Sequence, residues 1–134
     1  MNSITGQISQ IEVSGHLSIV SVIAGEQLLL KAIIVETPES ASYLKEGQAI
    51  QMLFKETEVV IGIGEQLHIS LQNKIPATIQ EIEKGKLLSK LTLSTMAGTI
   101  YSVISTNAVN NLALVPQQKV VAMIKLNEVM LSTS

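Results

Sequence analysis

Lys55-Glu56-Thr57-Glu58-Val59 returns 70 residues further along as Lys125-Leu126-Asn127-Glu128-Val129. The same offset lays Gly15 on Gly85, Leu17 on Leu87, Ile34 on Ile104, Leu44 on Leu114 and Gln48 on Gln118, with no gap from Gly15 onward. An offset of 71 matches the opening segments, Ile8-Ser9-Gln10-Ile11-Glu12 with Ile79-Gln80-Glu81-Ile82-Glu83. Apolar strands agree by chance easily, but ungapped agreement of Gly, Lys and Glu does not. The chain therefore reads as a duplication, with units at 1–63 and 67–134. The link Gly62-Ile63-Gly64-Glu65-Gln66 is short and glycine-rich, leaving the units little freedom to separate.

Within each unit the apolar pattern is that of strands. Residues 4–13 alternate loosely and stop at Ser14-Gly15, residues 16–24 form a second strand, and Leu28–Val35 is apolar on both faces. Thr37-Pro38-Glu39 then has the form of a helix start, with Thr37 as N-cap and Pro38 at the first helical position, predicting a helix to about Lys45. Ala49–Phe54 and Glu58–Ile61 close the first unit. The second unit repeats the order, with Ser105 or Thr106 capping a helix through Leu112. The expected fold class is all-β, two tandem five-stranded OB-like barrels, each with one short helix.

Composition narrows the function. All nine cations are lysines and all eleven acidic side chains are glutamates, for a net charge of -2 and a pI near 5.6. No global positive field draws in nucleic acid or anionic lipid. Phe54, Tyr43 and Tyr101 are the sole aromatics, too few for a nucleic-acid or sugar-stacking surface. Without cysteine there are no disulfides and no thiolate metal sites. The first residues lack the basic and apolar stretches of a signal peptide, and no apolar run approaches the roughly 18 residues of a membrane span. A cytoplasmic, non-membrane protein is expected. The chain is 46% hydrophobic but 15% charged, more apolar surface than two small barrels hide internally, so a homo-oligomer is expected.

Phosphate loops, nucleophile elbows and zinc-protease motifs are absent, and His16 and His68 are single residues far apart. The sequence reads as that of a non-enzyme with no directly coordinated metal. What remains is a set of lysines and small polar residues at strand ends. Lys55 and Lys125 occupy matching places, Thr57 and Asn127 follow two residues later, Ser70-Leu71-Gln72-Asn73 precedes the second barrel, and Ser105 ends its third strand. Donor-only lysine with hydroxyls and free amides suits an oxyanion. Taken singly, each lysine is equally a solvated charge guarding an edge strand. Their repetition in both units puts the two readings level.

Three blocks carry a family resemblance. Ile124-Lys125-Leu126-Asn127-Glu128-Val129-Met130-Leu131 resembles the closing Ile-Lys-Ala-Ser-x-Val-Met-Leu of Mop domains, and Ser70-Leu71-Gln72-Asn73 resembles their Ser-Ala-Arg-Asn opening. Ile104-Ser105 with Val109, Leu112 and Leu114 resembles their central Ile-Thr-x-x-Ser-Val-x-x-Leu-Gly-Leu. The first unit keeps Leu44-Lys45-Glu46-Gly47, Lys55 and Val59. The chain thus resembles a tandem Mop (di-Mop) protein of the TOBE/molbindin-like kind.

That resemblance implies a bound molybdate or tungstate, held by backbone amides, Ser/Thr hydroxyls and a lysine, often between subunits. It assigns the oxyanion to Ser70, Gln72, Asn73, Ser105, Lys125 and Asn127 in the second unit and to Lys55 and Thr57 in the first. It also implies a trimer, with a dimer next. The sequence departs from the pattern in places: Gln72 stands for the family arginine, Ser105 for threonine and Ala108 for the second serine. In the first unit Val35 and Pro38 replace the hydroxyl residues. The function implied is intracellular oxyanion storage or homeostasis. The alternative is the effector-sensing module of a molybdate-responsive transcription regulator lacking its DNA-binding domain. A third is an assembly module whose anion site has decayed.

Overall fold

The computed structural model describes residues 1–64 and 68–133. Glu65 and Gln66 of the expected link, Leu67 at the start of the expected second unit, and Ser134 lie outside the described residues. The first half contributes β1 (Asn2–Ser14), β2 (Leu17–Ala24), β3 (Leu28–Ile34), β4 (Ala49–Phe54) and β5 (Val60–Gly62). The second contributes β6 (Asn73–Lys84), β7 (Leu88–Thr95), β8 (Gly98–Ser105), α1 (Thr106–Asn111), β9 (Lys119–Ile124) and β10 (Met130–Ser132). A 3-10 turn separates the last two strands of each half, at Glu56–Glu58 and Leu126–Glu128.

All strands pair antiparallel, in two five-stranded sheets ordered β10-β4-β1-β2-β3 and β5-β9-β6-β7-β8. The sheets bear out the all-β class, and their membership crosses the duplication. β10 lies beside β4, with Leu131 opposite Met52, and β5 lies beside β9, with Ile61 opposite Ala122. Each half therefore lends its last strand to the sheet of the other. The loan is stabilised by burial: Val59, Ile61 and Val129 join one continuous core with Ile4, Phe54, Ile75 and Ile124. A fully buried side chain of this size contributes about 1.5–3 kcal/mol.

Matching irregularities mark the ancestry of the halves. A bulge falls between Ile8 and Gln10 in β1 and between Ile79 and Glu81 in β6. A bulge bends its strand and increases its twist, which lets β1 pair with β4 along its first part and β2 along the rest. At the bend the Ile8 and Ile79 amides bind the Gln48 and Gln118 carbonyls, both at 2.9 Å. The position before each glutamine has positive φ, 86° at Gly47 and 73° at Gln117.

Two expectations are corrected. The offset of 71 persists through the first hairpin, since Val13 faces Ser18 as Lys84 faces Ser89. It becomes 70 only at the third strand, where Ile34 faces Ser18 as Ile104 faces Ser89. The lost residue lies in the loop before that strand: Gly25-Glu26-Gln27 joins β2 to β3, whereas Met96-Ala97 joins β7 to β8. Leu17 therefore corresponds to Leu88, and Gly15 does not correspond to Gly85.

The helix expected from Thr37 to Lys45 is replaced by turns. The Ser40 and Ala41 amides donate to Thr37 O at 3.0 and 2.9 Å, while Ser40 Oγ accepts from the Thr37 amide at 2.9 Å. The Ser40 bond to the Thr37 amide is that of a capping box, and Ala41 N–H to Thr37 O closes one helical turn. The next bonds are the i to i−3 contacts of Leu44 N–H to Ala41 O and Gln48 N–H to Lys45 O, both at 3.2 Å, so the turn is not continued. In the second half the expected helix forms. Ser105 is its N-cap, with Oγ accepting from the Ala108 amide at 3.0 Å, and Val109 is buried against β7 and β8.

Candidate functional site

Lys55 and Lys125 each stand one residue beyond a central strand, at the mouth of a 3-10 turn. Their backbones are nearly superposable, with φ and ψ of -76° and 148° at Lys55 and -68° and 143° at Lys125. Each turn is closed by the same bond, Glu58 N–H to Lys55 O and Glu128 N–H to Lys125 O, both 3.0 Å. A fixed turn leaves each ammonium on an exposed stem.

Because the strands cross over, each turn packs on the third strand of the opposite half. The Glu56–Glu58 turn lies on β8, where Ser102 Oγ donates to Val59 O at 2.9 Å, and the Leu126–Glu128 turn lies on β3. The residues assigned to one unit by sequence are thereby divided. Lys55 and Thr57 approach β8, the strand that ends in Ser105, while Lys125 and Asn127 approach β3, which runs out at Ile34 and Val35. Lys55, Thr57, Met1, Glu56 and Val103 line a cavity of about 340 Å³. Ser105 is two residues past Val103 on the same face of the strand and is exposed.

The remaining residues fall into two groups. Ser70 and Gln72 are exposed on the approach to β6, with Gln72 just ahead of the Asn73–Ile124 pair and so near Lys125. Asn73 is 2% exposed, and both its polar atoms are engaged. Its Oδ1 accepts from the Lys31 amide at 2.7 Å and its Nδ2 donates to Lys31 O at 2.8 Å. Asn2 repeats this grip on Tyr101, at 2.8 Å for both bonds. These asparagines position strands; their side chains leave no polar atom aimed at a ligand.

Other charged residues at the junctions were not legible in the sequence. Lys90 Nζ lies 4.7 Å from the Tyr101 ring centroid and 4.0 Å from Glu56 Oε1, while the Met1 nitrogen lies 3.7 Å from Glu56 Oε2. The signal would have been the register, which sets Lys90 opposite Val103. Glu58 and Glu128, equivalent by the repeat, meet each other. A hydrogen bond to Glu58, partial burial and repulsion from Glu58 hold the Glu128 carboxyl above its ordinary range, against the opposing pull of Lys125. Among the described residues there is no cluster of His, Asp and Glu able to hold a metal ion, and no helix long and apolar enough to cross a membrane.

The two junctions thus offer ammonium groups, hydroxyls and side-chain amides beside the carboxylates of Glu56, Glu58 and Glu128. Residues 69–131 match the TOBE domain family. The whole chain is similar to the cytoplasmic molybdate-binding protein ModG, solved with molybdate bound, at TM-score 0.91 and 25% identity over 99% of this chain and 96% of that one. A molybdate-binding protein from Sporomusa ovata is 36% identical over 44% of this chain and 88% of its own, at TM-score 0.43. No curated protein sequence matches the chain. On its fold, its repeat and its sequence blocks, the chain belongs to the TOBE/molbindin-like family, as a tandem, di-Mop member.

Proposed function

We propose that this protein binds molybdate or tungstate in the cytoplasm and serves oxyanion storage or homeostasis rather than catalysis. The observation that carries the reading is the likeness along the whole chain to a protein solved with molybdate in place. The junction chemistry is consistent with it. A tetrahedral dianion is held by an overall acidic protein only where donors converge and water is displaced. Lys55, Thr57 and Ser105 supply an ammonium and two hydroxyls at one junction. Lys125, Asn127, Ser70 and Gln72 supply an ammonium, two amides and a hydroxyl at the other. Asn73 holds β6 in place for the second set. Units 1–63 and 67–134 are, in this reading, the two binding repeats.

Discrimination against sulfate rests on size, since the charges are equal and the radii differ. Isothermal titration with molybdate, tungstate and sulfate tests the proposal. Binding of the first two with at least tenfold preference over sulfate is expected, together with a loss of at least tenfold in Lys55→Ala or Lys125→Ala. Absence of heat with both molybdate and tungstate refutes it.

A further inference from the structure

Glu56 stands where the second junction has a buried leucine. The repeat lays it on Leu126, which is 8% exposed, and lays Lys90 on Ile19, since Glu83 faces Lys90 as Glu12 faces Ile19. Two apolar positions of one junction are thus a carboxylate and an ammonium at the other, and they pair: Lys90 Nζ lies 4.0 Å from Glu56 Oε1.

This carboxylate borders the cavity of the Lys55 junction. Glu56 lines the hollow of about 340 Å³ with Lys55 and Thr57, and no other carboxylate does so. Glu58, two residues on, is engaged elsewhere: it accepts from the Lys55 amide at 2.9 Å and meets Glu128. Cations surround Glu56, with Lys90 Nζ beside one oxygen and the Met1 nitrogen beside the other. Lys90 does not depend on Glu56 for its place. It also lies over the Tyr101 ring, and Asn2 grips the main chain of Tyr101.

We propose that Glu56 is the resident counter-ion of the Lys55 junction, and that an entering oxyanion displaces it. This displacement rests on the oxyanion reading and deepens it at one junction; at the other the equivalent place holds Leu126. The energetics suit exchange rather than permanent closure. The Glu56 and Lys90 side chains are 27% and 43% exposed, and ion pairs this long and this exposed are weak. A dianion gains twice the Coulomb attraction of a carboxylate to the same cations at the same distance. The turn itself is closed by main-chain atoms, Glu58 N–H to Lys55 O, so the Glu56 side chain swings out while the backbone stays. A carboxylate that must leave costs affinity, and one that stayed would repel the guest. The Lys55 junction therefore binds more weakly than its donors alone would.

The test isolates this junction in the Lys125→Ala chain, which keeps the Lys55 ammonium. Molybdate and tungstate are titrated calorimetrically into wild type, into Lys125→Ala, and into Lys125→Ala carrying Glu56→Gln, Glu56→Ala or Glu46→Gln, with dichroism confirming the fold of each. Both Glu56 variants are expected to lower the dissociation constant by about three- to tenfold, the scale of a weak charge pair. Glu46 lies beyond the opposite end of β4 from Lys55, so Glu46→Gln removes the same charge and is expected to change nothing. Three results would overturn the displacement and leave the oxyanion reading standing: an affinity unmoved or weakened in either Glu56 variant, an equal gain in Glu46→Gln, or heat in wild type with none in any Lys125→Ala chain. Absence of heat in wild type and in every variant refutes the oxyanion reading and the displacement with it.

Discussion

Asn73 holds the main chain of Lys31 by both of its polar groups, accepting from the amide and donating to the carbonyl. It does for an edge strand what a neighbouring strand would do, and it does so across the boundary between halves. Removing it leaves an amide and a carbonyl without partners in a site closed to water, at about 1–3 kcal/mol each. Asn73→Ala is expected to destabilise by about 2–4 kcal/mol in urea unfolding, and Asn2→Ala by a similar amount because its bonds to Tyr101 are the same pair. A loss below about 0.5 kcal/mol for Asn73→Ala would show that the grip contributes nothing.

Gln117 occupies with a side chain the backbone conformation that Gly47 occupies without one, at φ 73° against 86°. Left-handed backbone costs a non-glycine residue about 1–2 kcal/mol, partly offset by the greater freedom of an unfolded glycine. Gln117→Gly is expected to stabilise by about 0.5–1 kcal/mol and Gly47→Ala to destabilise, both read from thermal unfolding.

Glu128 retains its proton to higher pH when folded than when unfolded, chiefly through its hydrogen bond to Glu58. For a carboxyl raised in this way, the stabilising contribution is complete below the unfolded value and drains as pH rises through the folded one. Glu128→Gln keeps a neutral donor at every pH. Its urea midpoint is expected to exceed that of wild type at pH 7 and to match it below about pH 4. A variant less stable at pH 7 would disprove the shared proton.

The exchange of β5 and β10 makes each half depend on the other. Fragments 1–64 and 68–134 are expected to lack cooperative unfolding when dissolved separately and to regain it as an equimolar mixture, monitored by circular dichroism. Sharp, independent transitions in the two separate fragments would contradict the exchange.

The duplication, the strands and the second helix were all legible in the sequence, because repetition and alternation are local. The exchange was not. Val60–Gly62 and Met130–Ser132 have the same pattern whichever half they join, and only the path of the preceding turn decides it. The same ambiguity mixed the candidate sites. Ser105 and Lys125 belong to one repeat, yet Lys125 packs toward β3 while β8, which ends in Ser105, receives the turn after Lys55. The first-half helix failed for a different reason. Its capping signal was sound and one turn closes on Thr37 O, but the residues that follow, with Ser40, Ser42 and Tyr43 among them, are weak helix formers and do not propagate it. Asn73 carried a signal that was misread. A buried asparagine at a strand start serves the strand opposite, and sequence gives no measure of burial at that position.

Strand exchange also orders events during synthesis. β4 is translated long before Met130–Ser132, the strand that covers its outer edge, so a nascent chain carries an uncapped edge through most of its elongation. Ribosome stalling or proteolysis that removes the last few residues therefore releases a molecule with a sticky flank rather than a slightly shorter protein. Quality control has a strong reason to degrade such products before they pair with one another.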